Sequence, residues 1–429
     1  MRFKRISCAV LSVLSLAYSR AQDTAGIISV ASVRRIEKTL AADDMMGRKA
    51  FSPAADKAAE FIAQEFRSAG LQPLPNADGY LQKFSMVTPK FVSAAAILDG
   101  MPADQPQVIV VTTQPELSAD EKTGFDTASI RTGANLFSEA GKMVHSGKNL
   151  VIWVDTSFAK QFGRLTGFKR NMFQQTNSTV FVLTDKRPAR FHIEARHTTS
   201  TSALANVVGM LPGKSKPGEY VIFSGHYDHL GTGKPVNGDS IYNGANDDAA
   251  GTTAVIVLAK YFKAMGNNER SIIFAAFTAE EAGGFGSQYF SRQLDPASVA
   301  AMFNIEMIGT ESKWGKNSAY ITGYEKTDMG KILEKNLAGS PFTFYPDPYT
   351  SEQLFYRSDN ATLARLGVPA HTISTSKMDS EPNYHKVSDD IATLDLNNMT
   401  MVIRAIASSA SSIISGKDTP TRVDSSQLR

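Results

Sequence analysis

Cysteine is almost absent from this chain: of 429 residues only Cys8 carries a thiol. A single cysteine excludes an internal disulfide framework and a cysteine-rich metal site, and past residue 8 it excludes a thiolate nucleophile. Long apolar runs are missing too. The most apolar stretch, residues 6–18, falls short of the roughly 20 residues that a membrane-spanning helix needs, so no membrane insertion is expected. Charge of one sign is not in excess: 45 Lys and Arg face 42 Asp and Glu, a formal +3. That balance leaves no electrostatic footprint for nucleic acid or an anionic membrane as partner. Internal repeats and low-complexity tracts are lacking as well.

What is present begins with a secretory pattern over residues 1–21. Arg2, Lys4 and Arg5 form a basic start, residues 6–18 an apolar middle, and Ser19-Arg20-Ala21 a small-residue cleavage site. Cys8 precedes most of the apolar stretch, too early for a lipoprotein signal. The expectation is an exported protein, periplasmic or secreted. Loss of the segment removes four positive charges and no acid, taking the formal charge from +3 to −1. A cysteine-free exported chain must rely on a large apolar core, and this length allows one.

Periodicity then divides the chain. Residues 54–69 carry Ala58, Ile62, Phe66 and Ala69 at helical spacing and stop at Gly70. Residues 22–92 read as the N-terminal part of a main domain. Residues 93–200 change to short apolar runs separated by polar stretches, an inserted smaller α/β or β-rich region without clustered catalytic residue types. From residue 201 to 414 strands and helices alternate. Candidate strands are 220–224, 272–277, 301–305, 319–322 and 369–373, and candidate helices 249–262 and 396–414. Such alternation predicts an α/β fold with a mixed, mostly parallel central sheet and helices on both faces. The polar tail, 415–429, is expected to be disordered.

Chemistry-bearing residues follow these strands. The run 271–277 ends in Glu280-Glu281, and 220–224 leads into His226-Tyr227-Asp228-His229-Leu230-Gly231. Asn246-Asp247-Asp248 precede a helix, Glu306 follows 301–305, and Tyr384-His385 lie in a loop after 369–373. In open α/β folds ligands bind at the carboxyl edge of the sheet, so these side chains share an edge. Two imidazoles and three carboxylates suit zinc, cobalt or manganese. Each piece also has an ordinary reading. A lone histidine is commonly a hydrogen-bonded structural residue, Asn-Asp-Asp before a helix is a capping sequence, and Glu306 fits a buried carboxylate paired to arginine. Coincidence at successive strand ends favours the shared site.

The ordered set His226–Gly231, Gly244–Gly251, Glu280-Glu281, Asn304–Gly309 and Tyr384-His385 resembles the M28 zinc metallopeptidases, bacterial aminopeptidases with glutaminyl cyclases as relatives. The resemblance covers residues 205–414 and implies a zinc-exopeptidase-like fold acting on a peptide substrate. It implies two zinc ions: His226 and Glu306 on one, Glu281 and His385 on the other, and Asp247 bridging. Glu280 is implied as general base and Asp228 as the carboxylate orienting His226. Tyr384 is a donor for the oxyanion, with packing of a buried ring as its other reading. Glu306 departs from the family's usual aspartate. One extra methylene shifts a carboxylate by roughly 1.5 Å, against a zinc–oxygen bond of about 2.0–2.2 Å.

Neighbouring positions receive weaker readings. His229 is expected to be supporting or structural, Asp248 to cap a helix, and His371 to be a satisfied core residue. Asn360 stands in Ser358-Asp359-Asn360 where the family carries histidine, so no role follows. Tyr349, Phe355 and Tyr356 fit either a pocket wall or the core. Two alternatives stay open: a mono-zinc glutaminyl-peptide cyclotransferase, kept in play by Glu306, and a non-catalytic binding ectodomain. Side-chain preference and oligomeric state are not legible.

Overall fold

The computed structural model describes residues 26–75, 77–103 and 107–428, so the expected signal at 1–21 lies outside the described residues. By internal contacts the chain forms two units, Phe84–Ala203 and the residues on either side of it. The expected insert, 93–200, falls inside the first of these.

The larger unit opens with α1 (Val30–Leu40) and α2 (Pro53–Ser68). The side chain of Ser29 caps α1 by accepting from the Ser32 amide at 3.3 Å. Proline starts α2, and Ala55, Ala58, Ile62 and Phe66 bury one face at helical spacing. Then come β1 (Phe191–Leu211), which belongs to this unit from Leu204 onward, β2 (Lys216–His226), α3 (Ala250–Met265), β3 (Arg270–Phe277) and β4 (Val299–Ile305). The set closes with β5 (Ser318–Ile321), β6 (Thr343–Pro346), β7 (Ala370–Ser374) and α4 (Leu396–Ser409).

Hydrogen bonding orders the strands β6-β5-β7-β4-β2-β3-β1. β2 runs parallel to β3 and β4, and β4 parallel to β7, while β1 and β5 join antiparallel to β3 and β7. This is the mixed sheet that strand–helix alternation predicts. Because strand side chains alternate, β3 sends Ile272, Phe274 and Ala276 into one apolar cluster and Ile273, Ala275 and Phe277 into another. Phe223 stacks among Phe262, Phe274 and Phe303, with centroids 4.9 to 5.8 Å away. Both faces are covered, so β3 is buried along its whole length.

Register places the strand ends together. His226 pairs with Phe277, Ser224 with Asn304, and Asn304 with Thr372. His226, Glu280 and Glu306 therefore leave neighbouring strands at one edge.

The tail departs from expectation. Within residues 415–428 Val423 is buried and its amide donates to Gly367 O. Arg422 donates to Val299 O at 2.8 Å, and the Thr421 amide to Asp328 at 2.7 Å. The cause is a buried guanidinium: Arg270 finds acceptors in Asp418 O, Thr419 Oγ1 and Ile413 O as well as in Glu219. Polar composition had suggested disorder, but the tail satisfies groups that the core leaves open.

The smaller unit has its own sheet, ordered 108–111, 179–183, 150–154 and 126–130, with helix Leu136–Val144 and a separate apolar core. It is α/β in character.

Candidate metal centre and catalytic pocket

Two groups of metal-competent side chains occur in the larger unit: His226, Asp247 and Glu306, and His229, Asp247 and Glu281. His226 ends β2. Its Nδ1 lies 3.1 Å from the carbonyl of Asp228, which only accepts, so Nδ1 carries the hydrogen. Nε2 then faces Glu306 Oε1 at 3.2 Å and Asp247 Oδ1 at 3.3 Å. Nε2 so placed between two carboxylate oxygens is satisfied either by its own proton or by a bound cation. Burial alone lowers the basicity of His226, yet Glu306, Asp247 and Glu280 raise its pKa well above the ordinary value.

The other oxygen of Asp247 serves the second group. Oδ2 is 3.2 Å from His385 Nε2 and 3.9 Å from His229 Nδ1. Glu281 Oε1 lies 3.0 Å from His229 Nδ1 and 3.2 Å from His385 Nε2. Burial opposes ionisation of Glu281, but the adjacent imidazoles of His229 and His385 hold its pKa down at about 2. Asp247 Oδ2, Glu281 Oε1 and both ring nitrogens of His229 are buried without a hydrogen-bond partner. Buried polar atoms are seldom left so, and this orphaned set of imidazole and carboxylate donors fits borderline divalent cations such as zinc. Three of the expected residues, His226, Asp247 and Glu306, thus meet on one side of a shared carboxylate, and Glu281 and His385 on the other. His229 joins the latter pair, closer than the structural role read for it.

Asp228 acts differently from the expectation that its carboxylate orients His226. The carboxylate Oδ1 is 3.8 Å from Nδ1, and the backbone carbonyl makes the contact instead. Oδ1 accepts the Glu280 amide at 3.0 Å. That bond, with a left-handed Ala279 at φ +55°, turns the chain after β3 so that Glu280 faces the cavity. The cavity, about 80 Å³ and open to solvent, is also lined by Asp247, Glu281, Glu306 and His385. Burial, followed by the charges of Asp359, Glu306 and Glu281, raises the Glu280 carboxyl well above its ordinary pKa, with His226 opposing.

Supporting contacts fix the ligand loops. Asp248 accepts the His226 amide at 3.1 Å and those of Gly251 and Met307 at 3.0 Å, tying β2, α3 and the end of β4 together. It caps α3, as read. Glu306 Oε2 accepts Ser358 Oγ at 2.7 Å, Ser358 Oγ accepts Asn304 Nδ2 at 2.7 Å, and Asn304 Oδ1 accepts Ser224 Oγ at 2.7 Å. This chain seats the longer carboxylate while its Oε1 stays beside His226. Asp389 accepts the amides of Asn246 and Asp247 at 2.8 and 3.0 Å. The buried Arg48 donates to the carbonyls of Leu40, Tyr227, Asn243 and Gly244 at 2.6 to 2.8 Å.

Tyr384 stacks on His385 with centroids 3.9 Å apart and lines the cavity. Tyr349, Phe355 and Tyr356 do not; Met307, Tyr320, Leu354 and Met378 supply the apolar wall. His371 bonds Thr322 O and Thr327 Oγ1, both at 2.8 Å, in the core. Asn360 braces Phe355 O and Thr372.

Among relatives, a probable leucine aminopeptidase of Trichophyton verrucosum is 28% identical over 206 residues, 45% of this chain and 53% of that protein. The chain therefore spans about half the length of this curated relative. A solved aminopeptidase from Aneurinibacillus sp. strain AM-1 superposes with a TM-score of 0.53 at 16% identity, covering 90% of this chain and 94% of its own. A zinc aminopeptidase from Bacillus subtilis gives 0.53 at 15%, covering 91% and 97%. These two share the fold. Residues 206–410, a little under half of the chain and the segment that carries both groups, match the sequence model of peptidase family M28.

Proposed function

We propose that this protein is an exported zinc aminopeptidase that hydrolyses the N-terminal peptide bond of a peptide, with two zinc ions per chain. The observation that carries the reading is Asp247, whose two oxygens face different imidazoles, beside a cavity lined by Glu280. His226 and Glu306 would hold one ion, Glu281 and His385 the other, and His229 is within reach of the second. Bound there, zinc supplies Lewis acidity to the scissile carbonyl and acidifies a water.

The chain's own residues do the rest. Glu280 takes the proton of the attacking water at a carboxylate oxygen and returns it to the departing amine nitrogen. Its backbone is fixed through Asp228, so the carboxylate is held in position before substrate arrives. Tyr384 donates its hydroxyl hydrogen to the oxygen that gains charge as the carbonyl carbon becomes tetrahedral. The second group is complete, which argues against a single-metal cyclase, and Glu280 beside complete ligands argues against a non-catalytic ectodomain.

The test combines metal analysis with hydrolysis of aminoacyl chromogenic substrates by wild type and Glu280→Gln. Nearly two zinc per chain is expected in both, with turnover by the variant reduced at least a hundredfold, the scale of a lost general base. Undiminished turnover in the variant removes Glu280 from this role. One zinc with cyclisation of N-terminal glutamine replaces the reading. Export is checked by cell fractionation and by N-terminal sequencing of the protein recovered outside the cytoplasm.

A further inference from the structure

The cavity that holds Glu280 has a composition the hydrolytic reading does not explain. Four carboxylates line it, and among its described lining residues Arg357 is the only lysine or arginine. A guanidinium beside four carboxylates balances part of their charge, and once cations occupy the two groups it is left for an incoming anion. Arg357 is not committed elsewhere. Its ion pair is to Glu352 at 3.2 Å, both side chains over 40% exposed, a pairing that contributes little in water. It lies next to Ser358, whose hydroxyl holds Glu306, and its charge is felt at Tyr384. It also lines a second cavity that Glu280 and Ser358 share.

Counting charges sharpens this. Asp247, Glu280, Glu281 and Glu306 carry four negatives when ionised, which two divalent cations balance. Arg357 then leaves the cavity with a net positive charge. A planar guanidinium at the mouth of such a site is suited to bidentate recognition of a carboxylate.

We propose that Arg357 is a specificity-determining residue that binds a carboxylate of the substrate, either the free C-terminus of a short peptide or an acidic side chain. The inference rests on the hydrolytic reading and deepens it. Glu280 and Arg357 line the same solvent-open cavity, so the reacting bond of a short peptide and its carboxylate meet one chamber.

The experiment compares zinc-loaded wild type, Arg357→Met and Arg357→Lys on leucylglycine, leucylglycine amide, and the p-nitroanilides of leucine and glutamate. Equilibrium binding of leucylglycine and its amide to Glu280→Gln by calorimetry is the readout independent of turnover. In wild type the carboxylate-bearing member of at least one pair is preferred in KM by about ten- to a hundredfold, the worth of one charge-assisted bond. The methionine variant loses that preference, and lysine restores part of it. A preference confined to the peptide pair assigns the C-terminus, and one confined to the anilides assigns the acidic side chain. Equal KM values in both pairs, or a preference that survives in the methionine variant, overturn the inference while leaving the hydrolytic reading intact. Absence of all hydrolysis together with equal binding of the two peptides overturns both. Absence of hydrolysis with retained preference in binding overturns the hydrolytic reading alone.

Discussion

Ser358 shows how one hydroxyl can set the position of a proposed metal ligand. Glu306 reaches His226 with one oxygen only because Ser358 holds the other at 2.7 Å. Ser358→Ala should leave the fold intact and weaken metal affinity at the His226 group by about ten- to a hundredfold, the usual effect of losing an outer hydrogen bond to a ligand. Competition with a chromophoric chelator reads this, and unchanged affinity would show that Glu306 needs no brace. Arg48 makes a different kind of support. Its guanidinium is fully buried and satisfied by four carbonyls, with Glu37 and Asp389 among the charges that offset it. Arg48→Met strands those four carbonyls, each costing about 1–3 kcal/mol when left unsatisfied, so a loss of at least about 3 kcal/mol in denaturant unfolding is expected. The two metal-competent groups were legible because carboxylates and histidines followed each apolar run. Arg48, Ser358 and Asp389 were not, since bonds to backbone groups far away in sequence leave no local spacing to read.

Elements set how close these groups come. α3 starts directly over the ends of β2 and β4, and Gly251 in its first turn makes that approach possible. A Cβ there would overlap the Ile305 carbonyl and the Asp248 carboxylate. Gly251→Ala is expected to cost at least about 1–3 kcal/mol, as overpacking does, and to displace Asp248 from the three amides it binds. A lowered unfolding midpoint together with reduced zinc content checks this, and a variant as stable as wild type contradicts it. The strands β2, β3, β4, β5 and β7 were visible as short apolar runs, whereas β1 was not. Its first half alternates buried residues with polar ones and then turns wholly polar at 198–201, so apolar content understates it. Strand order was equally hidden, because it is decided by pairings between distant segments.

At the scale of the whole molecule, stability depends on pH through groups that burial keeps protonated. Glu37 is fully buried, and burial pushes its pKa from 4.5 up to about 8, against the opposing bond from Thr253 and charge of Arg48. A carboxyl raised in the folded state holds a proton that the unfolded chain has released. Between about pH 4.5 and pH 8 the native form therefore binds more protons, and this group's contribution falls as pH rises through that window. Glu37→Gln should flatten the fall, measured as unfolding midpoints of both proteins from pH 5 to 8; parallel curves would assign the dependence to other groups. The reach of Arg48 has a consequence for the life of the chain. Its bonds to Tyr227, Asn243 and Gly244 span 179, 195 and 196 positions, so the loops of the centre close only when distant thirds of the polypeptide meet. Such long-range closure comes late in folding. A chain exported before it folds would cross empty and acquire its zinc at its destination, making metal supply in that compartment, rather than in the cytoplasm, the step that governs maturation.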